Sequence, residues 1–192
     1  MLFRLVHAEA IAELILQVPR LVDLHKQKST DFPGQVLNWL NSLEQLFTAN
    51  RMHEAGAIAL LRAKINATEQ GQIAIKAEFR TKPNRSQLLQ AAALEALDEG
   101  ALISQNLIRE NKNRFADAGA VARQVISAAA SMGLLFRDDP AESSNTYLER
   151  IRGSLKSNPE LNSALVHLDG LVGQNDALIL IDRALAYVQL TQ

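Results

Sequence analysis

The sequence predicts an all-α fold, a compact bundle of about eight helices joined by short turns. Three observations carry this. Apolar residues recur at steps of three and four through nearly every segment, the period of a helix with one buried face. Short clusters of Pro, Gly, Asn and Ser separate those segments. Only one stretch, residues 72–80, alternates with period two, so a sheet has no second strand to pair with. The 192 residues suit a single helical domain, 1–192; the composition also allows a sub-division at 71–85, into a hairpin region 1–70 and a bundle 86–192.

In the first helix Glu9, Glu13, Gln17 and Arg20 form a polar stripe opposite Leu5, Ala8, Ile11, Ala12, Ile15 and Val18. Pro19 has no amide hydrogen to donate and is expected to end or kink this helix, which continues to about Lys26. Lys28 to Gly34 reads as a turn, with Thr30 or Asp31 capping the next helix ahead of Pro33. That helix carries Val36, Trp39, Leu40, Leu43, Leu46 and Phe47. A corner at Ala49–Arg51 returns the chain into a helix over 51–66 through Ile58, Leu61 and Ile65, completing an antiparallel hairpin. In the next stretch Ile73, Ile75, Ala77 and Phe79 alternate with Gln72, Ala74, Lys76, Glu78 and Arg80, and an extended connection is expected there.

From Ser86 the stripe runs through Leu89, Ala93, Leu97, Gly100, Ile103 and Leu107, to about Asn111. Gly100 falls on the apolar face and marks a close helix crossing. A separate helix follows on Phe115, Ala118, Ala122, Val125, Ala129 and Met132, stopped at Gly133. Asp139, Pro140 and Glu142 form a capping box for a helix on Leu148, Ile151 and Leu155. Asn158-Pro159-Glu160 opens another, with Leu161, Leu165, Leu168 and Val172 inside and His167 outside. Asp176 is expected to cap the last helix, whose Leu178–Val188 run is apolar nearly all round. A helix of that kind sits at a core or at an interface.

The composition excludes several chemistries. With no cysteine there is no disulfide, thiolate nucleophile or Cys-ligated metal. A net charge of -1 lacks the basic footprint of a nucleic-acid binder. No window holds the roughly 18 continuous apolar residues of a membrane span. The first ten residues lack a basic region ahead of an apolar one, so a cytoplasmic protein is expected. No dinucleotide fingerprint, Walker loop, nucleophile elbow or metal-binding helix motif is present, and neither cofactor nor metal is expected.

The best-supported reading is a non-catalytic helical module for protein–protein interaction or self-association. A homodimer is expected, with Leu178, Ile179, Ile181, Leu185 and Val188 of the last helix, or the helix over 86–111, in or near the interface. The rival reading is an enzyme or ligand binder with an apolar pocket beside His53 and Glu54, an imidazole and a carboxylate able to move a proton. A third comes from Arg20-Leu-Val-Asp-Leu-His25, which resembles the Arg–x4–His pattern of all-helical ribonucleases that need no metal. That resemblance implies His25 as the base and Arg20 as the stabiliser of phosphorane charge. It covers six residues, and Leu21 stands where a polar partner is expected. Glu95, Asp98 and Glu99 read as a solvated acidic face. The basic clusters at 80–85, 109–114 and 150–152 are not interleaved with aromatics for base stacking, so RNA binding is not expected.

Overall fold

A computed structural model of the chain describes residues 3–72, 83–135 and 143–190. Among the described residues the fold is all-α, with eight helices: α1 Leu5–Ile15, α2 Val18–Lys26, α3 Phe32–Ala49, α4 Ala55–Glu69, α5 Arg85–Ser131, α6 Ser144–Ser157, α7 Pro159–Val172 and α8 Gln174–Leu190. Most of the stretch expected to be extended, together with the Asp139 capping box, lies outside the described residues.

Two sequence expectations change at helix ends. Pro19 does not close the first helix. The break falls at Leu16–Gln17, and Pro19 enters the first turn of α2, where a missing amide hydrogen costs nothing. Nor is there a break near Asn111: α5 runs uninterrupted for 47 residues. The polar run from Glu110 to Arg114 contains neither Gly nor Pro, and Lys112 and Asn113 are simply solvated. Polar residues of this kind cost a helix only a few tenths of a kcal/mol each.

The chain forms two compact units, His7–Arg109 and Glu110–Gln192 with Met1–Val6. The division between these two units falls inside α5. Residues 85–109 pack on the N-terminal helices through Ala92, Ala93, Ala96 and Leu97, all fully buried.

In the unit His7–Arg109, α3 packs against α4 and α2. Its core is Phe32, Val36, Trp39, Leu40, Leu43, Phe47, Ile58 and Ile65. Trp39 does two jobs. Its indole N–H donates to the Leu14 carbonyl at 2.8 Å, a second bond to an acceptor that also takes the Gln17 amide at 3.1 Å. Its ring lies against Gly100 so closely that a Cβ there would come within 2.9 Å of Trp39 Cζ3 and 3.0 Å of Leu40 Cδ2. The close crossing read from the apolar stripe is present. Gly100→Ala is therefore expected to destabilise the protein, because overpacking costs about 1–3 kcal/mol against a helix-propensity gain of about 1. Gly153→Ala in α6 gives the same propensity gain with nothing within 4 Å of the new methyl, and is expected to stabilise. Opposite signs in paired denaturant melts would establish the crossing; equal shifts would refute it.

Helices in this unit end in Schellman turns. Gly71 has φ +75°, with the expected bonds from Gly71 N to Thr68 O and from Gln72 N to Ala67 O. At α2 and α3 the same left-handed position is held by Lys28 (φ +55°) and Arg51 (φ +52°). A side chain there carries a steric cost that glycine avoids, while a cation is favoured by the negative end of the helix dipole. The turn at Arg51 is why α4 begins at Ala55 and not at 51. Asp31 stands at the N-cap position of α3 but makes no capping bond with its side chain.

The second unit is built on Ala118, Ala122, Val125, Ile126 and Ala129 of α5, Ile151 and Leu155 of α6, Leu161, Leu165 and Leu168 of α7, and Ile181 and Leu185 of α8. Ser143 caps α6, its hydroxyl accepting from the Thr146 amide at 3.2 Å. Asn158 caps α7 through the Glu160 and Leu161 amides, with Pro159 behind it as expected. One buried ion pair and one half-exposed pair tie the unit together. Arg152 of α6 donates to Asp169 Oδ2 of α7 at 2.6 Å and to the Gln174 carbonyl of α8 at 3.1 Å. Asp176 is 1% exposed. It does not cap α8, which begins two residues earlier. It accepts the Leu5 amide at 2.6 Å and the Arg4 guanidinium at 3.1 and 3.2 Å, and so caps α1.

Candidate functional site

The structure places the sequence-derived candidates in different surroundings. His53 is exposed, with Nε2 3.1 Å from Glu54 Oε1. Neither residue lines any of the three clefts, of about 390, 550 and 620 Å3, that the helices enclose. His53 sits in the corner before α4, and Glu54 stands at the N-cap position of that helix.

Arg20 and His25 both lie on α2, five residues apart. At 3.6 residues per turn that separates them by about 140° around the axis. Arg20 is exposed. His25 is half-buried, its ring 5.0 Å from that of Phe32 and its Nδ1 3.4 Å from Gln90 Oε1. Gln90 in turn donates through Nε2 to the Ser29 carbonyl at 2.7 Å. That bond fixes which end of the amide is oxygen, so His25 Nδ1 must be the donor. The neutral ring then keeps its lone pair on Nε2. With Lys26, Lys28, Ser86, Gln87 and Leu94, His25 lines the 620 Å3 cleft.

The expected interface residues divide by face. Ile181 and Leu185 point into the core of their own unit and are almost fully buried; Leu178, Ile179 and Val188 are half-buried, the last two packed against the same core. The apolar character of α8 belongs first to the interior. Its outward face is different: Arg183 and Tyr187, the latter 62% exposed, border the 550 Å3 cleft. Across that cleft stand Phe115, Ala116, Gly119 and Arg123 of α5, with Leu180, Ala184 and Leu5 along its floor. Sequence periodicity did not single out Arg183 and Tyr187, because it weighs the buried stripe and is blind to what the opposite face presents.

Compared with known proteins, the chain matches no family model, no curated protein and no solved structure.

The remaining polar candidates are largely structural. His7 is buried in α1 and His167 is exposed on α7, as its stripe implied. Glu95 pairs with Lys64 at 2.7 Å. Arg114 donates to the Phe3 carbonyl and lies 4.9 Å from the Phe115 ring, and Arg152 is in the buried pair. Two of the basic clusters thus give cations to packing. Among the described residues no group of three His, Asp or Glu side chains is placed to hold a metal ion. Among the described residues no single helix is long and apolar enough to cross a membrane; α7 and α8 reach that length and apolarity only as a pair bent by 118°.

Proposed function

We propose that the protein is a non-catalytic helical module that associates with a second copy of itself through the outward faces of α5 and α8. The observation that carries this is the cleft bordered by Phe115, Gly119, Arg123, Arg183 and Tyr187. Its floor is apolar and its flanks supply Tyr and Arg, the residues that dominate association energies. Ala116, Gly119 and Ala184 are small enough for a partner helix to approach closely.

A two-fold axis lets one patch serve both copies, so this single face of Tyr, Arg and small residues is sufficient for a dimer. A net charge of -1 adds little repulsion between copies.

Sedimentation equilibrium at tens of micromolar is expected to give twice the 21.1 kDa chain mass. Tyr187→Ala is expected to weaken the dimer about 30-fold, equivalent to a hot-spot loss of about 2 kcal/mol, with the monomer's melting temperature unchanged. A wild-type monomer under these conditions, or a dimer indifferent to Tyr187→Ala, would overturn the proposal.

A further inference from the structure

The cleft at the end of α2 has a chemistry that self-association does not use. We propose that it binds a small phosphate monoester, the phosphate held by side-chain donors of Lys26, Lys28 and Gln87 and the organic part lying over Ala91 and Leu94.

The argument is an inventory of donors and acceptors. The two glutamine side-chain oxygens at the cleft are already engaged within the protein, and the His25 Nε2 lone pair is the acceptor left for a P–O–H of a monoester. Gln90 Oε1 accepts from His25, and Gln87 Oε1 accepts the Asn84 amide at 2.9 Å, while the Gln87 amide donates to Asn84 Oδ1 at 2.8 Å. This reciprocal cap fixes the Gln87 side chain so that its Nε2 group is the end left over. Lys28 makes no ion pair among the described residues. Lys26 meets only Asp23, at 3.3 Å between two well-exposed side chains, a pair of the kind that contributes little and is readily redirected. Ser86 adds a hydroxyl, and among the described residues no carboxylate lines the cleft. What remains is rich in donors and in positive charge, suited to an anion.

Among anions the geometry favours phosphate over carboxylate. Lysine ammonium groups act as point charges with rotatable donors, which match a tetrahedral dianion, whereas a planar carboxylate is best read by the fork of arginine. Among the described residues no arginine lines this cleft. The apolar floor supplied by Ala91 and Leu94, one turn further along α5, gives an ester an advantage over the inorganic ion. A volume of about 620 Å3 lies in the range of small-ligand sites.

Lys28 supplies the discriminating test, because it holds the left-handed C-terminal position of α2 where glycine is sterically preferred. Lys28→Gly removes a cation from the cleft while relieving the backbone. The fold should melt at or above the wild-type temperature, so weakened binding cannot be ascribed to unfolding. Arg51→Gly makes the same backbone change at the end of α3, away from the cleft lining.

Amide chemical shifts are followed during titration with inorganic phosphate and with phenyl phosphate at constant ionic strength. Saturable shifts confined to residues 24–29 and 84–94 are expected, with phenyl phosphate at least fivefold tighter than phosphate. Lys28→Gly and Lys26→Ala should each weaken phenyl phosphate fivefold or more, and Arg51→Gly should not. Non-saturable shifts, equal affinity for the two probes, or full affinity in Lys28→Gly would overturn the proposal. So would a short single-stranded RNA that binds the same residues more tightly than phenyl phosphate, since the site would then read a nucleic-acid backbone.

Discussion

Arg152→Ala is expected to lower the unfolding free energy by about 3–5 kcal/mol, the usual cost of removing one partner from a buried ion pair. The Arg152 side chain is 7% exposed and that of Asp169 18%. Asp169 also has a second oxygen, Oδ1, buried with no hydrogen-bond partner, so the carboxylate has little to turn to once the guanidinium is gone. The pair as a whole need not be stabilising relative to apolar packing. Arg152→Met combined with Asp169→Leu is expected to recover most of the loss, because it removes both desolvated charges together. Arg152→Lys should recover little. One nitrogen of the guanidinium serves Asp169 on α7 and another serves the Gln174 carbonyl of α8, and a single ammonium cannot reproduce that fork. Urea titrations of Arg152→Met, Asp169→Leu and the double variant form a cycle. A coupling energy near zero would mean that the three-helix clamp is not formed in solution.

Asp176→Ala should cost about 3 kcal/mol, and the loss should be located at the start of α1. A charged acceptor in a hydrogen bond contributes about 1.5–3 kcal/mol, and the Leu5 amide it leaves behind is buried. Arg4→Ala is expected to cost about 1 kcal/mol or less, since the Arg4 side chain is 37% exposed and water screens its share. Native-state amide exchange gives the more specific readout. In Asp176→Ala, protection should fall at Leu5 and Val6 while the amides of Ile58 and Ile65 keep theirs. The opposite ranking of the two variants, or unchanged protection at Leu5, would show that Asp176 does not cap this helix.

Much of the fold was legible because burial writes itself into spacing. The stripe Val36, Trp39, Leu40, Leu43 and Phe47 is buried as read, and Gly100 on an apolar face announced the crossing that Trp39 fills. Asn158-Pro159 opened α7 where its capping chemistry said it would. What failed was of two kinds. The polar run near Asn111 looked like a loop, but polarity without Gly or Pro describes a solvated helix face equally well. The partners of Asp176 and Arg152 lie 171 or 172 and 17 or 22 residues away, and no local pattern reports on contacts at such range. The site was legible only in part. His25 was singled out beside Arg20, and the structure leaves it with Lys28 and Gln87 instead, because five residues on a helix turn two side chains apart.

The contact between Leu5 and Asp176 also orders events during synthesis. Residues 3–6 emerge from the ribosome well before α8, and the carboxylate that seals the Leu5 amide is encoded 171 positions later. At roughly 5–20 residues per second, this segment stays unlatched on the order of 10–30 s of translation. The unit His7–Arg109 can be complete well before then. The segment ahead of α1 is thus locked late, and a ribosome stalled before α8 should leave it open to a protease.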